Sequence, residues 1–246
     1  MILALFRRLL LAAAAGGAIA GFAASGAQAL RAIPLILEAE RYETVGAPPA
    51  QGHTAPADGT ASMSHNQAKP AFDRGGGTPE SGLERGLYTV MANLVMGVGF
   101  GLLLAAAFAL WGEVDWRRGL LFGLAGFASF SLAPALGLPP ELPGSFAAPL
   151  AERQIWWLGT ALATGAGLAL ILLTRRPWSA ALGAALIALP HLIGAPRPDE
   201  EGGLAPARLA HEFVVAALAT SFIFWLVLGA ATGFFYKRFG DGRASA

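Results

Sequence analysis

The chain has no cysteine among its 246 residues, and only 13% of its residues are charged. Without cysteine there can be no disulfide, thiolate zinc site or iron–sulfur cluster, which leaves His, carboxylate, Met and backbone oxygen as metal ligands. Soluble domains carry about a quarter charged residues. The low charge, together with 55% hydrophobic residues and a mean hydropathy of +0.54, therefore excludes a soluble globular domain.

Sequence motifs for nucleotide chemistry are also missing. No GxxxxGK(S/T) phosphate loop is present, so the chain cannot hydrolyse ATP by that route. No paired nucleophile and base is visible, and we predict that the protein is not an enzyme and holds no tightly bound cofactor. The net charge of +1 gives no indication of a nucleic-acid partner.

What the sequence has instead is long apolar runs. Six are long enough to cross a hydrocarbon core of about 30 Å: roughly Leu9–Leu30, Tyr88–Leu110, Gly119–Leu138, Ile155–Thr174, Trp178–Gly194 and Phe213–Tyr236. We predict an all-α polytopic integral membrane protein, a helix bundle with six transmembrane helices or, alternatively, five. The first run also resembles a signal peptide, because Ala27-Gln28-Ala29 ends it. Its length of about 20 residues exceeds the usual signal core, so we predict retention as a helix, with cleavage as the alternative.

Basic pairs at the ends of alternate runs indicate the orientation. They are Arg7/Arg8, Arg117/Arg118, Arg175/Arg176 and Lys237/Arg238. The positive-inside rule then places both termini in the cytoplasm of a bacterial inner membrane. We predict a first transmembrane helix in residues 1–30 and a partly flexible outer (periplasmic) loop in residues 31–87. A five-helix membrane bundle with two further outer loops follows in residues 88–236, and residues 237–246 form a cytoplasmic tail.

In this topology one face holds most of the candidate metal ligands. All four histidines and 13 of the 16 acidic residues lie outside, because only Glu113, Asp115 and Asp241 are inside. Neutral imidazole suits cobalt(II), nickel(II), zinc(II) and copper(II). The candidate ligands on the outer face are His191, His211, Glu141, Glu38, Glu40, His53 and His65.

His191 is the strongest of these candidates. It lies in the outer third of an apolar run and follows Pro190, which removes a helical hydrogen bond and can free carbonyls toward an ion. The alternative is an interface histidine bonded to a carbonyl of a neighbouring helix. His211 begins the last span, where a merely exposed residue is the alternative. Glu141 is framed by prolines at a span end, so its backbone is rigid.

The candidates of the first outer loop have weaker support. Glu38 and Glu40 lie in Pro34–Glu43, which we predict to form a short amphipathic helix whose glutamates are either ligands or solvated. His53 and His65 lie in a Gly- and Pro-rich stretch without a metal-site spacing. Two interpretations of these histidines remain open: they attract metal on a mobile segment, or they are merely solvated.

Small residues also recur at helical spacing, and we predict that they allow close helix packing in lipid. The pairs are Gly17/Gly21, Gly97/Gly101, Gly119/Gly123 and Gly229/Gly233.

Several strings in the chain together resemble one known family. They are Pro34–Glu40, Gly82–Arg85, Gly97–Leu104, Gly126–Ala128, Ala133–Gly144, Arg153–Trp157 and Leu189–Pro196. In this order, over nearly the whole chain, they resemble the predicted cobalt transporter subunit CbtA family. The resemblance implies an inner-membrane protein of cobalt uptake that works with a small single-span partner, CbtB, which carries a histidine motif. Family members are described with about five spans and often have a close histidine cluster and a tryptophan in the first outer loop, which this chain lacks.

We therefore predict a membrane subunit of a cobalt(II) uptake transporter that supplies cobalamin synthesis, with nickel(II) as an alternative cargo. Its metal site would be built from His191, His211 and Glu141, with Glu38 and Glu40 nearby. Its partners would be the lipid bilayer, the metal ion and a CbtB-like subunit, and a homo-oligomer remains open. The rival prediction is a non-transporting accessory or scaffold protein for a partner metal permease.

Overall fold

The computed structural model describes residues 2–46, 82–174, 176–200 and 202–241. It is 84% helical and contains no β-strand in these ranges, which confirms the predicted all-α class. Its elements in chain order are α1 (Ile2–Ala27), a π-helical turn (Gln28–Ala32), α2 (Ile33–Gly46), α3 (Gly82–Trp111), α4 (Trp116–Phe127), a second π-helical turn (Ala128–Leu132), α5 (Ala133–Ala135), α6 (Leu150–Leu173), α7 (Pro177–Ile193) and α8 (Ala207–Asp241).

Within the described residues, five helical segments are long and apolar enough to cross a membrane. They are the continuous run Leu3–Glu43, then α3, the run Trp116–Ala135, α6 and α8. The predicted span Trp178–Gly194 corresponds to α7, which has 17 residues. At 1.5 Å per residue it is about 25 Å long, shorter than the hydrocarbon core. α7 nevertheless returns the chain to the end at which α6 begins, because the Trp156 indole N–H donates to the Pro190 carbonyl. Six helical segments therefore run between the two ends of the bundle, and the start of α1 lies beside the end of α8, although only five of the six have the length expected of a full span.

The segment Pro34–Glu43 is helical, as predicted, and lies within α2, but the prediction that Pro34 starts a new helix is wrong. α1 continues through the first π-helical turn into α2, where the Ile33 N–H bonds the Gln28 carbonyl five residues back. In a regular α-helix the ring of Pro34 would clash with a carbonyl of the preceding turn, and a wider π turn relieves that contact. The second π-helical turn likewise ends two residues before a proline, Pro134.

Glycine pairs mark the closest helix crossings, which confirms the predicted small-residue faces. Gly17 of α1 meets Gly97 of α3 backbone to backbone, so that a methyl group on either glycine would overlap the backbone of the other helix. α4 meets α8 in the same way at Gly119 and Gly229. Because lipid supplies no hydrophobic drive between helices, such close approach is what holds them together. α6 and α7 also cross in this way, at glycines that the sequence patterns did not single out.

These crossings are antiparallel, so the bundle has two distinct ends. The terminal end holds the start of α1, the α3–α4 turn and the end of α8, where the Arg8 guanidinium lies over the Tyr236 ring. Asp115 caps α4 there, and the hydrogen bond that its carboxylate accepts from the Arg118 N–H lowers the pKa of Asp115. The opposite end, which we call the acidic end, holds α2, the loop of residues 136–149 and the start of α8.

Two connecting segments join at the acidic end. The Phe146 N–H donates to the Gly202 carbonyl at 3.0 Å, and the Leu204 N–H donates to the Gly144 carbonyl at 3.2 Å. Beneath them, Leu142 and Phe213 are buried in a small apolar cluster with the inner face of α2. Two of the three loops that the sequence assigned to one side of the membrane, those before α6 and before α8, therefore pack as one structured layer.

Candidate functional site at the acidic end

Two cavities flank the first half of α8 at the acidic end. The α6 cavity, about 590 Å³, lies between α5, the start of α6 and α8, and Pro139, Gln154 and Leu218 are among its lining residues. The α3 cavity, about 810 Å³, lies between α2, the start of α3 and α8. Both are large enough for a small hydrated solute, so they are the natural places to look for a transport site.

Each cavity carries one glutamate–arginine pair where its wall meets the surface. In the α6 cavity, Arg153 Nη2 lies 2.7 Å from Glu141 Oε2, and the two side chains are 29% and 28% exposed. In the α3 cavity, Arg85 Nη1 donates to both carboxylate oxygens of Glu40, at 2.9 and 3.2 Å. Each pair sums to zero charge. Two of the predicted ligands, Glu141 and Glu40, therefore already have a cationic partner.

The remaining predicted carboxylate, Glu38, is exposed and lies on α2 near Arg208. Arg208 donates to Glu212 at 2.8 Å on the first turns of α8. His211 lies between them in sequence and is exposed. These side chains form a charged surface on α2 and α8, and none of them lines either cavity.

His191 occupies a different position, in the last turn of α7. Its ring stands edge-on to the Trp156 indole, with ring centroids 5.8 Å apart. The Trp156 indole N–H donates to the Pro190 carbonyl at 3.3 Å. His191 Nε2 is buried and has no hydrogen-bond partner in the described part of the chain. The alternative considered above, a histidine bonded to a carbonyl of a neighbouring helix, therefore does not apply to this nitrogen. His191 lines neither cavity.

The predicted ligands do not converge on one site. Within the described ranges, no three His, Asp or Glu side chains are grouped so that they could hold a metal ion. The predicted combination of His191, His211 and Glu141 is thus not assembled in this conformation. His53 and His65 lie outside the described residues.

Several polar residues that the sequence patterns did not select line or adjoin the cavities. Gln28 and Ser221 line the α3 cavity. Asn93, which is 5% exposed, donates to Gln28 Oε1 at 2.7 Å and to Ser25 Oγ at 3.0 Å, linking α3 to α1. A buried amide within an apolar span was the visible signal, because such groups rarely occur in membranes without a partner or function.

Aromatic rings pack below the cavities, toward the middle of the bundle. The aromatic cluster comprises Phe100, Phe130, Phe224 and Trp225. Phe130 stacks on Trp225 with centroids 5.5 Å apart, and Phe100 lies 4.9 Å from Trp225. The Trp225 indole N–H donates to Ser131 Oγ at 3.2 Å. Phe130 also lines the α6 cavity, so this cluster forms part of its floor.

A family model for probable cobalt transporter subunits, CbtA, matches residues 6–237. No curated protein and no solved structure is significantly similar to the chain. The match spans α1 to α8 and both cavities, and the chain therefore belongs to the CbtA family of probable cobalt transporter subunits.

Proposed function

We propose that the protein takes cobalt(II) up across the bacterial inner membrane as the membrane subunit of a transporter that supplies cobalamin synthesis. Family membership supports the role of a transporter subunit. The observation that carries the proposal is the pair of cavities at the acidic end, each lined by one carboxylate and one guanidinium. With this arrangement a cation could enter the bundle past polar side chains without being bound tightly.

The acidic end would face the periplasm. The positive-inside rule supports this orientation, because Arg7/Arg8, Arg117/Arg118 and Lys237/Arg238 belong to the terminal end. A membrane potential that is negative inside supplies about 2.3 kcal/mol per charge per 100 mV. For a dication this is about 4.6 kcal/mol per 100 mV, so inward movement needs no ATP.

Orientation can be tested by labelling single cysteines, because the chain has none of its own. Ser62→Cys should react with an impermeant thiol reagent in intact spheroplasts. Glu113→Cys, in the turn before α4, should react only after the membrane is permeabilised. The opposite pattern would place the acidic end in the cytoplasm and reverse the proposed direction.

His191 is our proposed transient ligand. A buried nitrogen without a hydrogen-bond partner is costly in an apolar site, and such groups often mark the place of a water or an ion. Glu141 and Glu40 would instead balance the charge of their arginines, and His211 and Glu38 would attract cations to the surface. His53 and His65 would serve as a dispensable lure. Because imidazole binds nickel(II) as well, nickel should compete for uptake.

One observation favours the accessory role as a second candidate. No three ligand side chains are grouped in the described residues, so the chain alone offers no fixed metal site there. A CbtB-like partner that contributes ligands, or a second copy of the chain, would then complete the site. Uptake of radioactive cobalt should be measured in cells that express the chain alone, the partner alone, or both. Uptake by the chain alone would exclude the accessory role, whereas undiminished uptake by the partner alone would establish it.

A further inference from the structure

The two cavities have one lining residue in common. Of the described residues that line them, Ser221 of α8 alone borders both. It lies 14 residues after the start of α8, about 21 Å along the helix axis. In an apolar helix of 35 residues this is close to the middle of the span. The cavities are thus adjacent to each other at a depth where lipid surrounds the outside of the bundle.

The lining at this depth combines apolar side chains, such as Leu218 and Ala217, with neutral groups that hydrogen-bond. Thr220 and Gln28 lie in the α3 cavity, Ser131 lies in the α6 cavity, and Ser221 lies between the two. A liquid water molecule takes about 30 Å³, so the cavities have room for roughly 20 and 27 waters. Six of these suffice for the first shell of a small dication, which neutral hydroxyl and amide groups would bind through that shell.

The aromatic cluster lies one helical turn beyond Ser221. Trp225 is 3% exposed and its ring fills the space beside Gly126, where any side chain would collide with it. Phe130 joins the cluster to the α6 cavity. The path from the acidic end therefore reaches Ser221 and stops at packed rings, which no hydrated ion can cross without rearrangement.

We propose that the α6 and α3 cavities form one water-filled vestibule that meets at Ser221 and holds a hydrated divalent cation there, above the closed aromatic cluster. The identity of the cargo rests on the proposed function, but the presence of water does not. A vestibule filled by lipid chains is the competing physical state, and it makes the opposite prediction for charged reagents.

Water at Ser221 can be tested in the full-length chain in membranes. Only a thiolate reacts with thiosulfonates, and a thiolate forms only where water reaches the sulfur. Ser221→Cys should react with a charged, impermeant methanethiosulfonate at least about tenfold faster than two controls. The first control is Ile223→Cys, at the same depth, where the native side chain is 42% exposed on the outside of the bundle. The second is Ser129→Cys, where the native side chain is 3% exposed and lines neither cavity. Equal rates at all three positions would overturn the vestibule.

Passage of the cargo is tested separately by blocking the same place. Ser221→Phe should reduce cobalt uptake at least about tenfold, because the ring fills the space between the cavities, whereas Ile223→Phe should retain uptake. Ser221→Leu provides a smaller block if the phenylalanine variant is not abundant. Normal uptake by both Ser221 variants would overturn the assignment of the cargo to the vestibule. If the unmodified chain takes up no cobalt even with its partner, the proposed function fails while the labelling result stands.

Discussion

The pair Glu141–Arg153 gives the sharpest test of how cations enter. Glu141→Gln would leave the Arg153 guanidinium unpaired in the wall of the α6 cavity. A dication about 6 Å from that charge is repelled by about 1.4 kcal/mol even at the dielectric constant of water, which is about tenfold in local concentration. The pair is partly exposed, and such pairs contribute about 0–1 kcal/mol to folding. We therefore expect uptake to fall at least about tenfold while protein abundance stays near normal.

The double variant Glu141→Gln/Arg153→Gln separates charge balance from metal ligation. If Glu141 only neutralises Arg153, removal of both charges restores most of the lost uptake. If Glu141 ligates the metal, the double variant remains as inactive as the single one. Arg153→Gln alone leaves an unpaired carboxylate, which should lower the KM for cobalt about tenfold by the same Coulomb argument.

The assay is the initial rate of radioactive cobalt uptake over a range of cobalt concentrations at low ionic strength, with abundance measured by immunoblot. The matched control is Arg208→Gln/Glu212→Gln, which removes a pair of the same type, with side chains 89% and 44% exposed. It lines neither cavity and should leave uptake unchanged. An inactive Glu141→Gln/Arg153→Gln double variant with normal abundance would refute the charge-balance argument and return Glu141 to the ligands.

Three further predictions concern other parts of the chain. His191→Ala and His191→Gln should both abolish uptake at normal abundance if Nε2 ligates the metal, because an amide is a poor substitute for imidazole at cobalt(II); near-normal uptake by the glutamine variant removes His191 from the site. His53→Ala with His65→Ala should reduce uptake only modestly and mainly at low cobalt, since a Gly/Pro-rich tether raises local concentration but fixes no geometry; complete loss would make that loop essential. Gly97→Val should lower the free energy of unfolding by about 2–3 kcal/mol, and with it the membrane abundance, because the new side chain overlaps Gly17. Gly99→Val should change neither, because nothing lies within 4 Å of that position, and equal behaviour of the two variants would contradict the close crossing.

The helical class and the close crossings could be predicted because both depend on local patterns. A run of about twenty apolar residues has few structural options in lipid, since every backbone group must find its partner within the helix. Gly17 and Gly97 are each followed four residues later by another glycine, so one face of each helix exposes backbone without side chains. What the pattern did not show is which face meets which, and the crossing of α6 with α7 at Gly167 and Gly183 was missed for that reason.

The helix boundary predicted at Pro34 was wrong because a π-helical turn precedes this proline. Pro34 indicated the start of a new helix, because proline favours a first turn and disrupts a helix interior. A single wide turn before it removes the clash, so the helix continues and carries Glu40 over the α3 cavity. Sequence patterns at 3.6-residue spacing cannot register that one extra residue, and the same event recurs before Pro134.

The ionic partners of the candidate carboxylates could not be predicted from the sequence. Sorting residues by side of the membrane made Glu40 and Glu141 candidate ligands, and the structure adds that each lies within 3 Å of a guanidinium from the helix that follows it in the chain. From the sequence, an arginine at the outer end of a span is interpreted as a membrane anchor. Only the packing shows which carboxylate it neutralises. The consequence is functional: a dication that approaches meets paired charges rather than bare carboxylates. In the transport that we propose, such a dication would be attracted weakly enough to be released, which a tight binding site would prevent.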